Sequence, residues 1–274
     1  MKLALIAATI FTFTLGLYTP KVTAVPAKTP KTFTEWCQQK ATLPEETRHT
    51  IEVLLEVAET QNCIQANHIL NELLQIQLSS KQISNIQPLS ALTNLEYLVL
   101  DFNQIRDIQP LSALTNLENL SLNSNQISNI QPLSNLTNLT VLFLSANQIS
   151  DIQPLSNLTN LSILFLDSNQ ISNIQPLFEL TNLTILYLGS NQISDIQPLS
   201  ELTNLTFLSL DLNKISDLQP LSNLNKLNIL SITSNKINNI QPLSNLKNLT
   251  NLDIQNNPIT AKKCPVKPAS ICTF

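Results

Sequence analysis

LTNLTVLFLSANQISDIQPLSN, residues Leu136 to Asn157, is one of eight consecutive 22-residue copies that fill Leu70 to Asn245, and a ninth copy begins at Leu246. A fixed period of this length means that each copy is one supersecondary unit stacked on the next, so the chain reads as an array rather than as a series of separate domains. No copy can fold alone. About seven aliphatic side chains per copy gain ~1.5–3 kcal/mol each when fully buried, against ~1.5 kcal/mol of ordering cost for every residue in the turn. Burial between neighbours supplies the difference, and stability grows with copy number until a cap ends the array.

Within the period, L-x-x-L-x-L-x-x-N recurs, as in Leu95, Leu98, Leu100 and Asn103, or Leu183, Leu186, Leu188 and Asn191. This is the leucine-rich-repeat signature. Its alternating part, Leu98-Val99-Leu100, predicts a short strand with leucines inward and the residues between them outward. The other half reads N-Q-I-S-D/N-I-Q-P-L-S, with a proline from Pro88 to Pro242 that has no amide donor and a fixed φ, which predicts a turn or 3₁₀ segment. The signature asparagines, Asn103 through Asn257, are expected to lie one above another and satisfy backbone groups left unpaired by the turn. The earliest copy has Lys81 at that position, as an atypical terminal repeat does.

The flanks differ in kind. Lys2 precedes the uncharged apolar run Leu3 to Tyr18, and Val22-Thr23-Ala24 offers small residues for cleavage, so residues 1–24 read as a secretory signal peptide. The run is shorter than the ~20 residues a spanning helix needs, and no cysteine near the cleavage site is available for lipid attachment; an exported chain, periplasmic or released, without membrane insertion is expected. Residues 25–69 form a leader and a helical N-terminal cap, residues 70–260 the repeats, and residues 261–274 a C-terminal cap. In the first cap, Thr42-Leu43-Pro44-Glu45 matches a capping box, followed by Ile51, Leu54, Leu55 and Ala58 at helical spacing; a second helix is expected from about Ile64 to Asn71, and Val25 to Lys31 as a flexible leader. Four cysteines allow three pairings. Cys37 and Cys63 precede the full repeats and Cys264 and Cys272 follow them, so proximity favours Cys37–Cys63 and Cys264–Cys272. No C-x-x-C occurs, and His49 and His68 stand alone, so no metal site is expected.

Across Leu92 to Leu243 the repeats resemble, almost letter for letter, the 22-residue bacterial leucine-rich repeats of the internalin type, through L-x-x-L-x-L-x-x-N-Q-I-S-D-I-Q-P-L. The resemblance implies an α/β repeat solenoid: a right-handed arc with a parallel β-sheet on its concave face, 3₁₀ turns on its convex side, and a surface used in that family to grip other proteins. An immunoglobulin-like segment and a wall-sorting tail, found in surface-bound members, are not seen after the repeats, so host-cell adhesion is not implied. In this frame, the outward strand positions form a first row from Gln75 through Tyr97 and Asn119 to Asn251, and a second from Gln77 to Asp253. Val141, Phe143, Ile163, Phe165, Ile185, Tyr187 and Phe207 fall on adjacent coils ~4.8 Å apart and predict one apolar patch, with Tyr97 on the same row and Asp101, Asp167 and Asp211 along the edge to meet basic groups on a protein partner. The plainer account is β-propensity alone. Two other uses compete: self-association as a structural surface protein, compatible with a charged content of 12 % against ~25 % in typical domains, and glycan binding through Tyr187, Phe165 and Asp167.

Catalysis is not indicated. The two central rows carry no carboxylate except Asp253, there is no Ser-His-Asp set or Gly-rich phosphate loop, and Gly189 is the single glycine after the signal peptide. No cofactor is implied. A net charge of −4 without a Lys/Arg cluster speaks against nucleic acid.

Overall fold

The structure, a computed structural model, describes residues 30–261 and 263–274. The signal peptide expected over residues 1–24, and the leader as far as residue 29, lie outside the described residues. Ten parallel strands form one open sheet in sequence order: β1 Gln75–Gln77, β2 Tyr97–Val99, β3 Asn119–Ser121, β4 Val141–Phe143, β5 Ile163–Phe165, β6 Ile185–Tyr187, β7 Phe207–Ser209, β8 Ile229–Ser231, β9 Asn251–Asp253 and β10 Cys272–Thr273. The register is strict. Leu142 pairs with Leu164 and Phe143 with Phe165, and each further step of 22 residues keeps the same face outward.

Each strand from β1 to β8 gives way to a 3₁₀ turn opened by the repeated Gln-Pro, such as Gln153–Leu155 with Pro154 in its first turn. The Asp or Asn two residues before that glutamine accepts its amide; Asp151 Oδ1 takes Gln153 N at 2.8 Å. This short acceptor fixes the turn locally and explains why the repeat tolerates only those two residue types there. The inward-facing leucines and isoleucines of every coil are buried in one continuous core.

The signature asparagines stack as expected. Asn147 Nδ2 donates to the carbonyls of Leu122 (3.0 Å) and Leu144 (3.1 Å), while its Oδ1 accepts Ile127 N at 3.0 Å, so one side chain ties two coils. The same bonds recur from Asn103 to Asn257. A second asparagine ladder, not expected from the sequence, runs on the opposite side of the unit: Asn138 Nδ2 donates to Thr115 O and Asn160 Nδ2 to Thr137 O. A further periodic feature concerns backbone shape. The residue before each signature position, Lys81 in the first copy and asparagine in the others, adopts a left-handed conformation, from Ser80 through Phe102 and Ala146 to Leu212 and Asn256, at φ values of 53–57°.

The N-terminal cap holds three helices, α1 Phe33–Gln38, α2 Glu45–Val57 and α3 Cys63–Glu72. The helices α2 and α3 match the two expected, with Ile51, Leu54, Leu55 and Ala58 buried and Glu45, Glu52 and Glu56 exposed. The capping box does not form at Thr42. The chain there is a 3₁₀ turn, Lys40–Thr42, whose threonine hydroxyl donates back to Gln39 O, and Pro44 occupies the N-cap of α2 without a side-chain bond. The real capping box belongs to α1, which the sequence reading did not include: Thr32 Oγ1 accepts Glu35 N while the Glu35 carboxylate accepts Thr32 N. Phe33, Trp36 and Cys37 bury this helix against the cap core, and the Cys37–Cys63 disulfide joins α1 to α3. Thr50 Oγ1 donates to Asn85 O at 2.6 Å and His49 Nε2 meets Lys81 O at 2.7 Å, bonds that seat α2 on the first coil. At the far end Cys264–Cys272 closes the tail, and β10 continues the sheet beside β9.

Candidate concave binding surface

The outward positions of β4 to β7 bring seven of the expected residues onto adjacent strands: Val141, Ile163, Ile185 and Phe207 are paired in register, as are Phe143, Phe165 and Tyr187. All of these are half-buried rather than open, because each covers its neighbour. The rings form a ladder with centroids 4.6 Å apart for Phe143–Phe165, 4.2 Å for Phe165–Tyr187 and 4.5 Å for Tyr187–Phe207. The first two contacts are tilted by 55° and 49°, whereas Tyr187 and Phe207 are nearly parallel at 24°. Both arrangements are favourable for aromatic pairs. The last contact crosses rows: Ser209 leaves no ring on β7 in the second row, and Phe207 from the first row stacks on Tyr187 instead.

Tyr97 is placed elsewhere. It lies on β2, exposed, with Asn119 of β3 between it and Val141, so it is not part of the ladder. Two larger exposed apolar residues escaped the sequence reading. Phe102 and Leu212 are 64 % and 57 % exposed at the left-handed position, where the other coils carry Ser, Ala or Asn. The signal in the sequence is a small-to-large change at a fixed place in the repeat, just after the strand rows. Nothing in the fold explains them.

The edge aspartates do not behave alike. Asp101 Oδ1 accepts Ser121 Oγ (2.6 Å) and Asn123 N (2.7 Å), and Asp211 Oδ1 accepts Ser231 Oγ (2.7 Å) and Thr233 N (2.6 Å) with Oδ2 taking Ser209 Oγ at 3.0 Å. Both cap the next coil. Asp167 instead bonds backward, its Oδ1 accepting Ser145 Oγ at 2.5 Å. Asp101 and Asp211 therefore have structural work that the sequence did not reveal. The Tyr187 hydroxyl is pushed above its ordinary pKa, first by burial and then by the negative charge of Asp167, so it stays protonated at neutral pH.

Among the described residues, no group of His, Cys, Asp or Glu is placed to hold a metal ion, and no helix is long and apolar enough to cross a membrane.

Against this geometry the known proteins can be set. The family of leucine-rich repeats in paired copies matches residues 72–113, 115–157, 137–179, 159–201 and 181–223. An internalin from Listeria monocytogenes is similar in structure at a TM-score of 0.66 and 34 % identity, over 81 % of this chain and 74 % of that one. Internalin C2 from the same organism gives 0.70 and 35 % identity over 74 % of this chain and 91 % of its own. More distantly, the leucine-rich-repeat ectodomain of an Arabidopsis thaliana membrane receptor kinase, solved in complex with Casparian strip integrity factor 2, gives 0.59 and 26 % identity over 66 % of this chain and 24 % of that ectodomain. No curated protein matches the sequence.

Proposed function

This chain belongs to the leucine-rich-repeat family, in its bacterial internalin type, and from that premise we propose that it is an exported, non-catalytic module that binds a protein partner through the concave face of β4 to β7. The aromatic ladder carries the reading. Packing inside the array asks for leucine at the inward positions, all of which are filled, and asks nothing apolar of the outward ones: Asn119 on β3 and Ser231 on β8 serve the same strand positions. Four rings in continuous contact on the face that faces solvent match the aromatic centres of protein interfaces. Leucine-rich-repeat proteins characteristically mediate protein–protein contacts, and the receptor ectodomain similar to this chain was solved with a bound factor. Export is supported by residues 1–24 and by a disulfide in each cap, bonds that persist in oxidising compartments.

The test is capture from native extracellular and envelope fractions by the mature protein, beside a folded variant carrying Phe143→Ser, Phe165→Ser and Tyr187→Ser. A partner held by the first and lost by the second is the expected result. Equal capture by both, or by neither, rejects the concave face as the contact surface.

A further inference from the structure

The outward strand positions are one-sided in charge. They and the residues flanking each strand carry Glu96, Glu118, Asp101, Asp167, Asp211 and Asp253, and among the described residues every Lys and Arg lies outside them. A partner for this face is accordingly basic. The aspartates, however, are not equally available. Asp101 and Asp211 each find a serine on the following strand, Ser121 or Ser231, which donates to the carboxylate and lets it cap the next coil's amide. After Asp167 the corresponding residue is Tyr187, whose ring belongs to the ladder and offers no hydroxyl at that place.

Asp167 instead turns back to Ser145 through Oδ1, and Oδ2 takes no hydrogen bond from any described residue. In the next coil the edge position is Gly189, which has no side chain to cover that oxygen. Glycine is not there for conformation: its φ is not in the left-handed region, and an added Cβ would sit 3.5 Å from the nearest atoms, an ordinary contact. The raised pKa of Tyr187 agrees with a charged Asp167 close by. Phe165 and Phe207 both pack against the Tyr187 ring, which leaves the edge of the ladder, not the faces of that ring, open to a cation.

We propose that Asp167, together with the Tyr187 hydroxyl, forms a cation-binding subsite that takes one arginine or lysine side chain of the protein partner, with the apolar neighbours of that residue lying on the ladder. The inference rests on the concave-face reading above and names the chemistry of the partner. An arginine or lysine N–H donates to Asp167 Oδ2 while the tyrosine oxygen accepts a second hydrogen, a charge-assisted pair of the stronger kind.

A displayed library of random dodecapeptides, selected on the mature protein, supplies the probe. Enriched peptides should carry Arg or Lys flanked by apolar residues, and their affinity should fall about tenfold or more for Asp167→Asn. Asparagine keeps the shape and the Ser145 bond. Asp151→Asn in the convex turn is the control, because Asn129 already shows that asparagine caps the glutamine amide at this position, accepting Gln131 N at 2.9 Å; it should leave affinity unchanged. Peptides lost on Phe165→Ser yet held equally by Asp167→Asn would overturn the subsite and keep the concave face. Peptides indifferent to both, enrichment without basic residues, or no enrichment at all would overturn the subsite, and indifference to Phe165→Ser would remove the concave face as well.

Discussion

The repeats and the N-terminal cap are built on opposite plans. In the array a side chain meets the same surroundings nine times over, and each coil is held by its two neighbours through stacked leucines and the asparagine ladder. In the cap nothing recurs: α1 is held by contacts from residues 26 and more positions away, by a disulfide, and by a capping box used once. Stability in the first plan is a sum over interfaces; in the second it depends on a few unique links.

The array is most vulnerable to a cavity at its middle. Leu164→Ala removes a fully buried side chain from the fifth strand and should cost about 2–5 kcal/mol, read by denaturant unfolding, with a loss of cooperativity if the halves begin to unfold apart. Reduction of the caps comes next. Opening Cys37–Cys63, with a separation of 26 residues, should cost ~3.5 kcal/mol, and Cys264–Cys272, with a separation of 8, ~2.5 kcal/mol in the chain-entropy account. Amide exchange should then rise in the terminal coils next to each opened cap and stay slow at β5.

A smaller loss is expected from Asn147→Ala, which orphans Ile127 N and the carbonyls of Leu122 and Leu144. It should cost about 1–3 kcal/mol, and more than Asn257→Ala, whose equivalent bonds are only part-buried. The mildest change has the opposite sign. Leu212→Asn relieves a bulky residue at φ 54° and should raise stability by up to ~1 kcal/mol, measured by the same unfolding curves. A loss there would show that Leu212 packs usefully despite its exposure.

The same contrast governs how much could be read from the chain. The inward leucines, the strand register and the signature asparagines were legible because a residue needed by the stack returns every 22 positions. The helix α1 was not, since the burial of Phe33 and Trp36 is created by distant segments and leaves no period behind. Thr42 and Glu45 matched a capping pattern, but the preceding 3₁₀ turn took the threonine hydroxyl for Gln39. At the candidate site the aromatic positions could be listed, whereas the stacking of Phe207 on Tyr187 depends on the smallness of Ser209. The serines that bond Asp101 and Asp211 stand 20 positions later, Ser121 and Ser231, where Asp167 meets Tyr187, a pairing visible in the sequence once the geometry is known.

An open parallel sheet is also a template. Its last strand presents unpaired backbone groups to which any further strand, including one from a second molecule, could add. Here the final strand β10 has only two residues, and its Cys272 is tied back to Cys264, so the growing edge shrinks at the point where the array stops. So short and tethered a strand offers little backbone on which another strand could pair, which works against edge-to-edge growth of the sheet.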